Sequence, residues 1–163
     1  MYKIKSLILL LINIALVSCM SNTGGYNFKS SVAYIGGEYD GLVLSNQLKS
    51  HLSNFGMLDR NSNYEIQANI SHSQKLYITN IDNTSDRERI NSSVNIKIWN
   101  KELICYTYAF SEAISQFYVF ASSDKFISNN TAVEEIKIEN TEYLVKKFIN
   151  SLSEDAFKSD EQE

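Results

Sequence analysis

The sequence predicts an α+β fold, a two-layer sandwich in which two helices pack on one face of a sheet of about four strands. Two segments of the chain carry apolar residues at helical spacing, and the chain between them alternates apolar and polar residues. A helix with one apolar stripe and a sheet with one apolar face bury these surfaces against each other. The predicted order of elements is β-α-β-β-β-α.

The first 18 residues are organised like a secretory signal peptide. Lys3 and Lys5 precede an apolar run shorter than the roughly 20 residues that span a bilayer. The run ends in Leu16-Val17-Ser18-Cys19, which resembles a bacterial lipobox, so we expect residues 1–18 to be removed and Cys19 to be lipidated. Two or more acyl chains would hold the protein stably at a membrane. The alternative is an ordinary signal peptide in which Cys19 is incidental.

The mature chain has the length of one domain, which we place at residues 31–152. Residues 19–30 are rich in Ser, Asn and Gly and are expected to form a flexible tether. Residues 153–163 are acidic and poor in apolar residues, so we expect a disordered tail. The net charge of −4 gives no basic signature of nucleic-acid binding.

A short first strand is predicted at Ser31–Ile35 and is stopped by Gly36-Gly37. A helix follows, with Asp40 as its N-cap and Gly56 at its left-handed C-terminal position. Its apolar stripe consists of Leu44, Leu48, Leu52 and Phe55.

Alternation with a period of two begins at Tyr64 and predicts a second strand that continues toward Ile78. A polar loop is expected at 80–86, and alternation resumes in a third strand from Ile90 to Ile98. Polar Glu88, Asn95 and Lys97 are expected on the face opposite to the isoleucines of this strand.

The fourth strand is predicted from Glu102 to Ser115, and its register depends on the turn before it. A two-residue turn at Asn100-Lys101 would bury Cys105 and leave an aromatic stripe on the wet face, consisting of Ile104, Tyr106, Tyr108 and Phe110. A turn of another length would send this stripe inside. If Cys19 is lipidated, Cys105 has no cysteine left in its own chain for a disulfide.

After an irregular stretch at 116–128, Thr131 and Glu134 form a capping-box pattern that predicts the start of a second helix. Its apolar stripe runs to Leu152 and is interrupted by the polar Asn140.

No catalytic motif is present, so we expect a protein that is not an enzyme and has no cofactor. His51 and His72 lie far apart in sequence without other ligands at metal-binding spacing. Asp82 and Asp86 flank a loop but lack the glycine and distal glutamate of a calcium loop. We therefore expect no metal site.

The order of these segments resembles the LPS-assembly lipoprotein family, the LptE-like proteins of alphaproteobacteria, over roughly residues 31–152. The segments that carry the resemblance are the lipobox, Tyr64-Glu65-Ile66-Gln67-Ala68-Asn69-Ile70, the pair Arg87-x-Arg89 before an alternating strand, Ser115-Gln116-Phe117-Tyr118, and a long final helix. The chain departs from the family in having no proline and in lacking the usual start after the cysteine.

The resemblance implies an outer-membrane lipoprotein on the periplasmic side that plugs an LptD-like β-barrel, assists its assembly and binds lipopolysaccharide. Arg87 and Arg89 would then contact phosphate or the barrel. The alternative for these arginines is a pair of solvated charges that bind Asp86 and Glu88. The alternative for the whole chain is another periplasm-facing lipoprotein, of the kind that resembles CsgG or LpoB and assembles a pore or activates a cell-wall synthase.

Overall fold

The computed structural model describes residues 28–78, 86–119 and 126–160. The signal peptide, Cys19 and the aspartate at position 82 lie outside the described residues. The elements are β1 (Ser31–Val32), α1 (Glu38–Asn54), β2 (Tyr64–Ile78), β3 (Asp86–Asn100), β4 (Cys105–Val119) and α2 (Phe126–Asp160). No helix within the described residues is long and apolar enough to cross a bilayer.

The predicted α+β fold and the order β-α-β-β-β-α are confirmed. The sheet has the spatial order β1-β2-β3-β4, with β1 parallel to β2 and the other neighbours antiparallel. Both helices lie on one face, here called the inner face, where α1 contacts β1 and β2 while α2 contacts β3 and β4. The opposite face of β2, β3 and β4 is called the outer face.

The core lies between the helices and the inner face. Leu44, Leu48 and Leu52 of α1 are fully buried, as predicted. The prediction that Phe55 continues this stripe is wrong, because Phe55 is the C-cap residue after the helix and 63% of it is exposed. They share one cluster with the following residues of the sheet and of α2: Ile66, Val94, Ile96, Ile98, Leu144, Val145, Phe148 and Ile149. Fully burying one such side chain contributes about 1.5–3 kcal/mol, so this cluster is the main stabilising feature of the fold.

Both ends of α1 are shaped by glycine. The N-cap is Gly37 in the left-handed region with φ of 108°, so the prediction of Asp40 as N-cap is wrong, and Asp40 lies in the first turn. At the other end, Gly56 has φ of 66°, and its N–H and that of Met57 donate to the carbonyls of Ser53 and Leu52. This pattern is a Schellman motif, which confirms the predicted role of Gly56.

The turn between β3 and β4 has four residues, Lys101–Ile104, and the two-residue turn predicted at Asn100-Lys101 is wrong. Asn100 Oδ1 accepts hydrogen bonds from the N–H groups of Glu102 and Leu103, which stabilises the longer turn. A bulge then places Trp99 opposite Tyr106 but Ile98 opposite Tyr108.

The extra residue in the bulge divides the aromatic stripe between the two faces. Tyr108 and Phe110 point inward and lie 6.3 and 5.6 Å from the ring of Phe148. Tyr106 and Ile104 stay on the wet side, with 48% and 73% of their side chains exposed. The register with the aromatic stripe on the wet face therefore describes the start of β4, at Tyr106. The register with the stripe inside describes β4 from Tyr108 onward.

The remaining boundaries differ from the predicted ones. The second helix is in place by Phe126, so Thr131 is inside the helix and does not cap it. It continues to Asp160 through most of the predicted tail. The strand β4 extends to Val119 into the stretch predicted to be irregular. At the start of the domain, Ser30 is already buried and its N–H donates to the Met57 carbonyl, so the described end of the predicted tether belongs to the folded domain.

Candidate functional site

Three cations gather at one end of the outer face, and we call them the cationic cluster: Lys75, Arg87 and Arg89. Arg87 and Arg89 are separated by one residue, so both point to the same face of β3. The strand register places Lys75 of β2 directly beside Arg89. The two arginines are residues that the sequence pattern predicts, whereas Lys75 joins them only through the pairing of β2 with β3.

Arg89 is held in place by its neighbours on β4. Its Nη2 donates to Ser115 Oγ at 3.1 Å, and its guanidinium carbon lies 5.4 Å from the centre of the Phe117 ring. Ser115 in turn donates to Asn91 Oδ1 at 2.5 Å. Arg89 Nε is buried and has no hydrogen-bond acceptor within the described part of the chain. The guanidinium is therefore oriented in advance and retains capacity for an oxyanion.

Glu88 points away from the arginines to the inner face of the sheet. The expectation that it shares the face of Asn95 and Lys97 is wrong, because positions 88 and 95 differ in parity along the strand. Glu88 Oε2 accepts a hydrogen bond of 2.8 Å from Tyr118. Burial raises the pKa of Tyr118 to about 12, and this hydrogen bond acts in the same direction. Tyr118 therefore stays protonated and donates to Glu88. The carboxylate of Glu88 is thus bound on the inner face and not beside the arginines.

Neither Arg87 nor Arg89 forms an ion pair with any side chain in the described ranges. The side chain of Asp86 is outside them. The alternative prediction was that these arginines bind Asp86 and Glu88. The structure contradicts it for Glu88, which forms no ion pair with either arginine.

Exposed apolar side chains border the cationic cluster. Phe117 and Val119 occupy the β4 positions opposite Arg89 and Arg87, and 57% and 65% of these side chains are exposed. Cations beside exposed apolar groups form a surface that complements a ligand with both anionic and apolar parts.

The outer face as a whole carries positive charge although the chain carries −4. The cationic cluster and Lys97 face one carboxylate among the described side chains of this face, that of Glu65. Lys101 in the turn lies 3.4 Å from Glu65 and balances it. The negative charge of the protein is thus carried elsewhere, and the outer face favours anionic ligands.

A second concave surface lies at the β1 edge and has a volume of about 520 Å³. It is lined by residues 31–34 and by Lys49, Leu58, Arg60, Glu65 and Lys101. Lys101 is bound to Glu65 and to the Ser62 carbonyl, so part of the charge of this concavity is balanced within it.

A buried polar group on the inner face was not recognised as such from the sequence. Ser92 Oγ lies 2.8 Å from His72 Nδ1 and accepts from Asn140 Nδ2 at 2.9 Å. Ser92 and Asn140 are fully buried. Burial lowers the pKa of His72, an effect opposed by Asp40 and Glu134 and reinforced by Lys137. The polar break at Asn140 in the helix stripe was the signal that could have predicted this contact.

His51 and His72 lie on different elements, in α1 and β2. The described residues contain no group of three or more His, Cys, Asp or Glu side chains that could hold a metal ion.

Cys105 differs from both expectations for it. It is half-buried at the end of the sheet, opposite Asn100, because the longer turn shifts the register. It is disulfide-bonded, whereas a thiol without an intramolecular disulfide was expected. The only other cysteine in the sequence is Cys19.

The fold is shared with crystal structures of lipoproteins. A minor lipoprotein from Acinetobacter baumannii matches with a TM-score of 0.58 and 16% identity over 77% of this chain and 91% of that one. Rare lipoprotein B from Shewanella oneidensis matches with a TM-score of 0.52 and 11% identity over 76% and 94%. A candidate lipoprotein from Caulobacter crescentus matches with a TM-score of 0.56 and 15% identity over 76% and 86%.

At these identities the likeness establishes the fold, which is one that bacterial lipoproteins have. No protein-family model and no curated protein sequence matches the chain.

Proposed function

We propose that this protein is a non-catalytic, LptE-like lipoprotein of the outer membrane, anchored through Cys19 and facing the periplasm. It binds lipopolysaccharide and occupies the lumen of an LptD-like β-barrel, whose assembly it assists. The observation that carries the proposal is the cationic cluster beside exposed Phe117 and Val119, on a fold shared with lipoproteins.

The chemistry of the ligand fits this surface. Lipopolysaccharide has phosphates beside acyl chains, and the cluster offers guanidinium groups beside apolar side chains. Arg89 is fixed by Ser115 and Phe117, so little side-chain entropy is lost when its guanidinium binds phosphate. Arg87 is exposed and adds charge. Binding of lipopolysaccharide forms no covalent bond, so the proposal requires no catalytic acid–base pair.

Substitution of both arginines tests the lipopolysaccharide contact. The double change Arg87→Ala and Arg89→Ala should weaken lipopolysaccharide binding about tenfold or more, since each charged hydrogen bond contributes roughly 1.5–3 kcal/mol. Binding to the purified protein is measured by isothermal titration. The matched control, Lys49→Ala with Lys146→Ala, removes two exposed cations from the helices and should bind like the wild type. Equal weakening by both pairs would show general charge attraction and not a site.

Co-purification from detergent-solubilised outer membranes tests the barrel partner. A tagged protein should recover a large β-barrel, and the Cys19→Ser variant should be lost from the membrane fraction while remaining folded. Mass spectrometry of the barrel band identifies the partner.

Recovery of a cell-wall synthase, or of a homo-oligomeric ring of this chain, would favour the CsgG- or LpoB-like alternative. An unchanged membrane fraction for Cys19→Ser would contradict the anchor.

A further inference from the structure

An aromatic corner lies at the other end of the outer face, far from the cationic cluster. Trp99 and Tyr106 are paired across β3 and β4, with ring centres 4.9 Å apart in an edge-to-face arrangement. Tyr106 is about half exposed and Trp99 is half-buried. The bulge after Tyr106 keeps this pair on the outer face while it turns Tyr108 inward, so the corner depends on a specific irregularity of the hairpin.

Polar groups of three kinds surround the two rings. The hydroxyl of Tyr106 donates to Gln67 Oε1 at 2.9 Å, and Gln67 Nε2 donates to Glu65 at 3.4 Å. Lys97 Nζ lies 5.1 Å from the centre of the Tyr106 ring. The corner thus combines an exposed aromatic surface with an amide, a carboxylate and an ammonium group in ordered positions.

Short amide and hydroxyl side chains cover the outer face between the corner and the cationic cluster. Three hydrogen-bonded pairs link neighbouring strands across this band, each at 2.8 Å or less: Ser71 with Ser93, Ser111 with Asn95, and Ser115 with Asn91. On β4, Ala113 lies between Ser111 and Ser115, and Ala109 lies between Ser111 and the aromatic corner. The band is therefore rich in donors and acceptors, and positions 89 and 99 on either side of it are about 34 Å apart at strand spacing.

We propose that the outer face binds an anionic saccharide, with a sugar ring against Tyr106 and Trp99 and the chain of sugars along the amide–hydroxyl band. The apolar C–H face of a sugar ring packs on an aromatic ring, while its hydroxyls match groups that both donate and accept. The excess of cations over carboxylates on this face selects an acidic or phosphorylated saccharide. This inference rests on the proposed function, because it assigns the outer face to the glycan of the same ligand.

A protein partner fits this face less well than a saccharide. The centre of a protein interface is apolar and poor in charge, whereas the centre of the outer face is a band of asparagine and serine. Its aromatic groups stand at the ends, 34 Å apart by the same estimate, and not in a central patch.

Trp99 is the single tryptophan of the sequence and reports directly on the proposed site. Mature protein in detergent is titrated with the phosphorylated core oligosaccharide that mild acid releases from lipopolysaccharide, and Trp99 fluorescence is recorded. We expect a saturable change in intensity with the oligosaccharide and none with a neutral dextran oligosaccharide or with inorganic phosphate.

Three variants locate the binding. Tyr106→Ala should weaken oligosaccharide binding about tenfold, the effect of one aromatic contact, whereas Tyr106→Phe keeps the ring and should stay within about threefold of wild type. Tyr39→Ala removes an exposed tyrosine ring from α1, away from the outer face, and serves as the matched control, with affinity unchanged. Circular dichroism checks that each variant is folded.

Four outcomes would overturn the proposal: equal binding of the neutral dextran, no effect of Tyr106→Ala, equal weakening by Tyr39→Ala, or binding of whole lipopolysaccharide without the oligosaccharide. The last outcome leaves the proposed function standing. Conversely, oligosaccharide binding at Trp99 without co-purification of a barrel supports the saccharide site and contradicts the barrel partnership. Loss of the barrel from Tyr106→Ala with unchanged oligosaccharide binding would assign the face to a protein partner.

Discussion

Asn140 and His72 show how single polar residues join the second helix to the sheet. Asn140 Nδ2 donates to Ser92 Oγ, so the serine hydroxyl proton is available to His72 Nδ1. That nitrogen accepts a hydrogen bond only in the neutral ring, which agrees with the lowered pKa of His72. Asn140 Oδ1 is buried without a hydrogen-bond partner within the described residues, so the contact is incompletely satisfied and sensitive to change.

Stability should fall in mild acid because of His72. Its folded-state pKa is below 6.5, so as pH falls through 6.5 the unfolded chain takes up a proton that the folded chain does not. The free energy of unfolding therefore decreases from pH 6.5 downward until the folded-state pKa is reached. Urea unfolding at pH 7.5, 6.5 and 5.5 measures this decrease.

The variant His72→Asn keeps an atom near the Nδ1 position but does not titrate, so the slope below pH 6.5 should be reduced. His51→Gln is the control and should leave most of the slope in place. A slope that His72→Asn does not alter would assign the acid sensitivity to other groups.

At the level of elements, the close approach of Gly41 in α1 to the preceding turn fixes where the first helix starts. A Cβ at position 41 would lie 2.2 Å from the carbonyl oxygen of Gly36, which is backbone and cannot rotate away. The helix and the turn therefore pack together only when residue 41 is glycine. This contact explains why the N-cap is Gly37 and not Asp40, the cap residue that the sequence predicts.

Gly41→Ala should destabilise the protein by roughly 1–3 kcal/mol, the usual cost of overpacking, despite the higher helix propensity of alanine. Gly36→Ala is the matched control, because a Cβ there meets nothing within 4 Å, and its effect should stay within about 0.5 kcal/mol. Chemical denaturation of both variants measures the difference. Equal stabilities would show that the turn moves away from the helix at little cost.

The hairpin of β3 and β4 shows why element types were more predictable than their register. Alternation identified both strands, because it depends only on which residues are apolar. The turn length depended on the hydrogen bonds that Asn100 Oδ1 makes to the turn backbone, and the bulge depended on packing of Tyr108 and Phe110 against Phe148. The ring contacts join distant parts of the chain, and local pattern does not contain them. The Asn100 hydrogen bonds are local, but they depend on the orientation of one amide side chain.

At the scale of the whole molecule, the position of the charges matters more for ligand binding than the net charge does. A chain with net charge −4 presents four cations and one carboxylate on the described outer face. The composition shows that the chain is not basic overall, but it does not reveal that one face of the sheet is basic. Both proposed ligand contacts, with phosphate at Arg89 and with saccharide at Trp99, follow from this separation.

The membrane anchor is also a property of the whole chain. A thioether to a lipid and a disulfide both use Sγ of a cysteine, so Cys19 can take part in one or the other. Membrane fractionation of Cys19→Ser, with non-reducing mass spectrometry of the wild-type Cys19 peptide, separates the two states. A lipid-modified peptide supports the anchor, and a disulfide-linked one contradicts it.

The sequence by itself determined the fold class, the order of the elements, the three core leucines of α1 and the glycine at its C-terminus. These features depend on local periodicity and on the backbone freedom of single residues. Only the tertiary structure decided the turn of the second hairpin, the pairing of Lys75 with Arg89 and the link from His72 through Ser92 to Asn140. Each of these depends on which residues of separate strands and helices lie opposite one another, and strand register sets that pairing over the whole sheet at once.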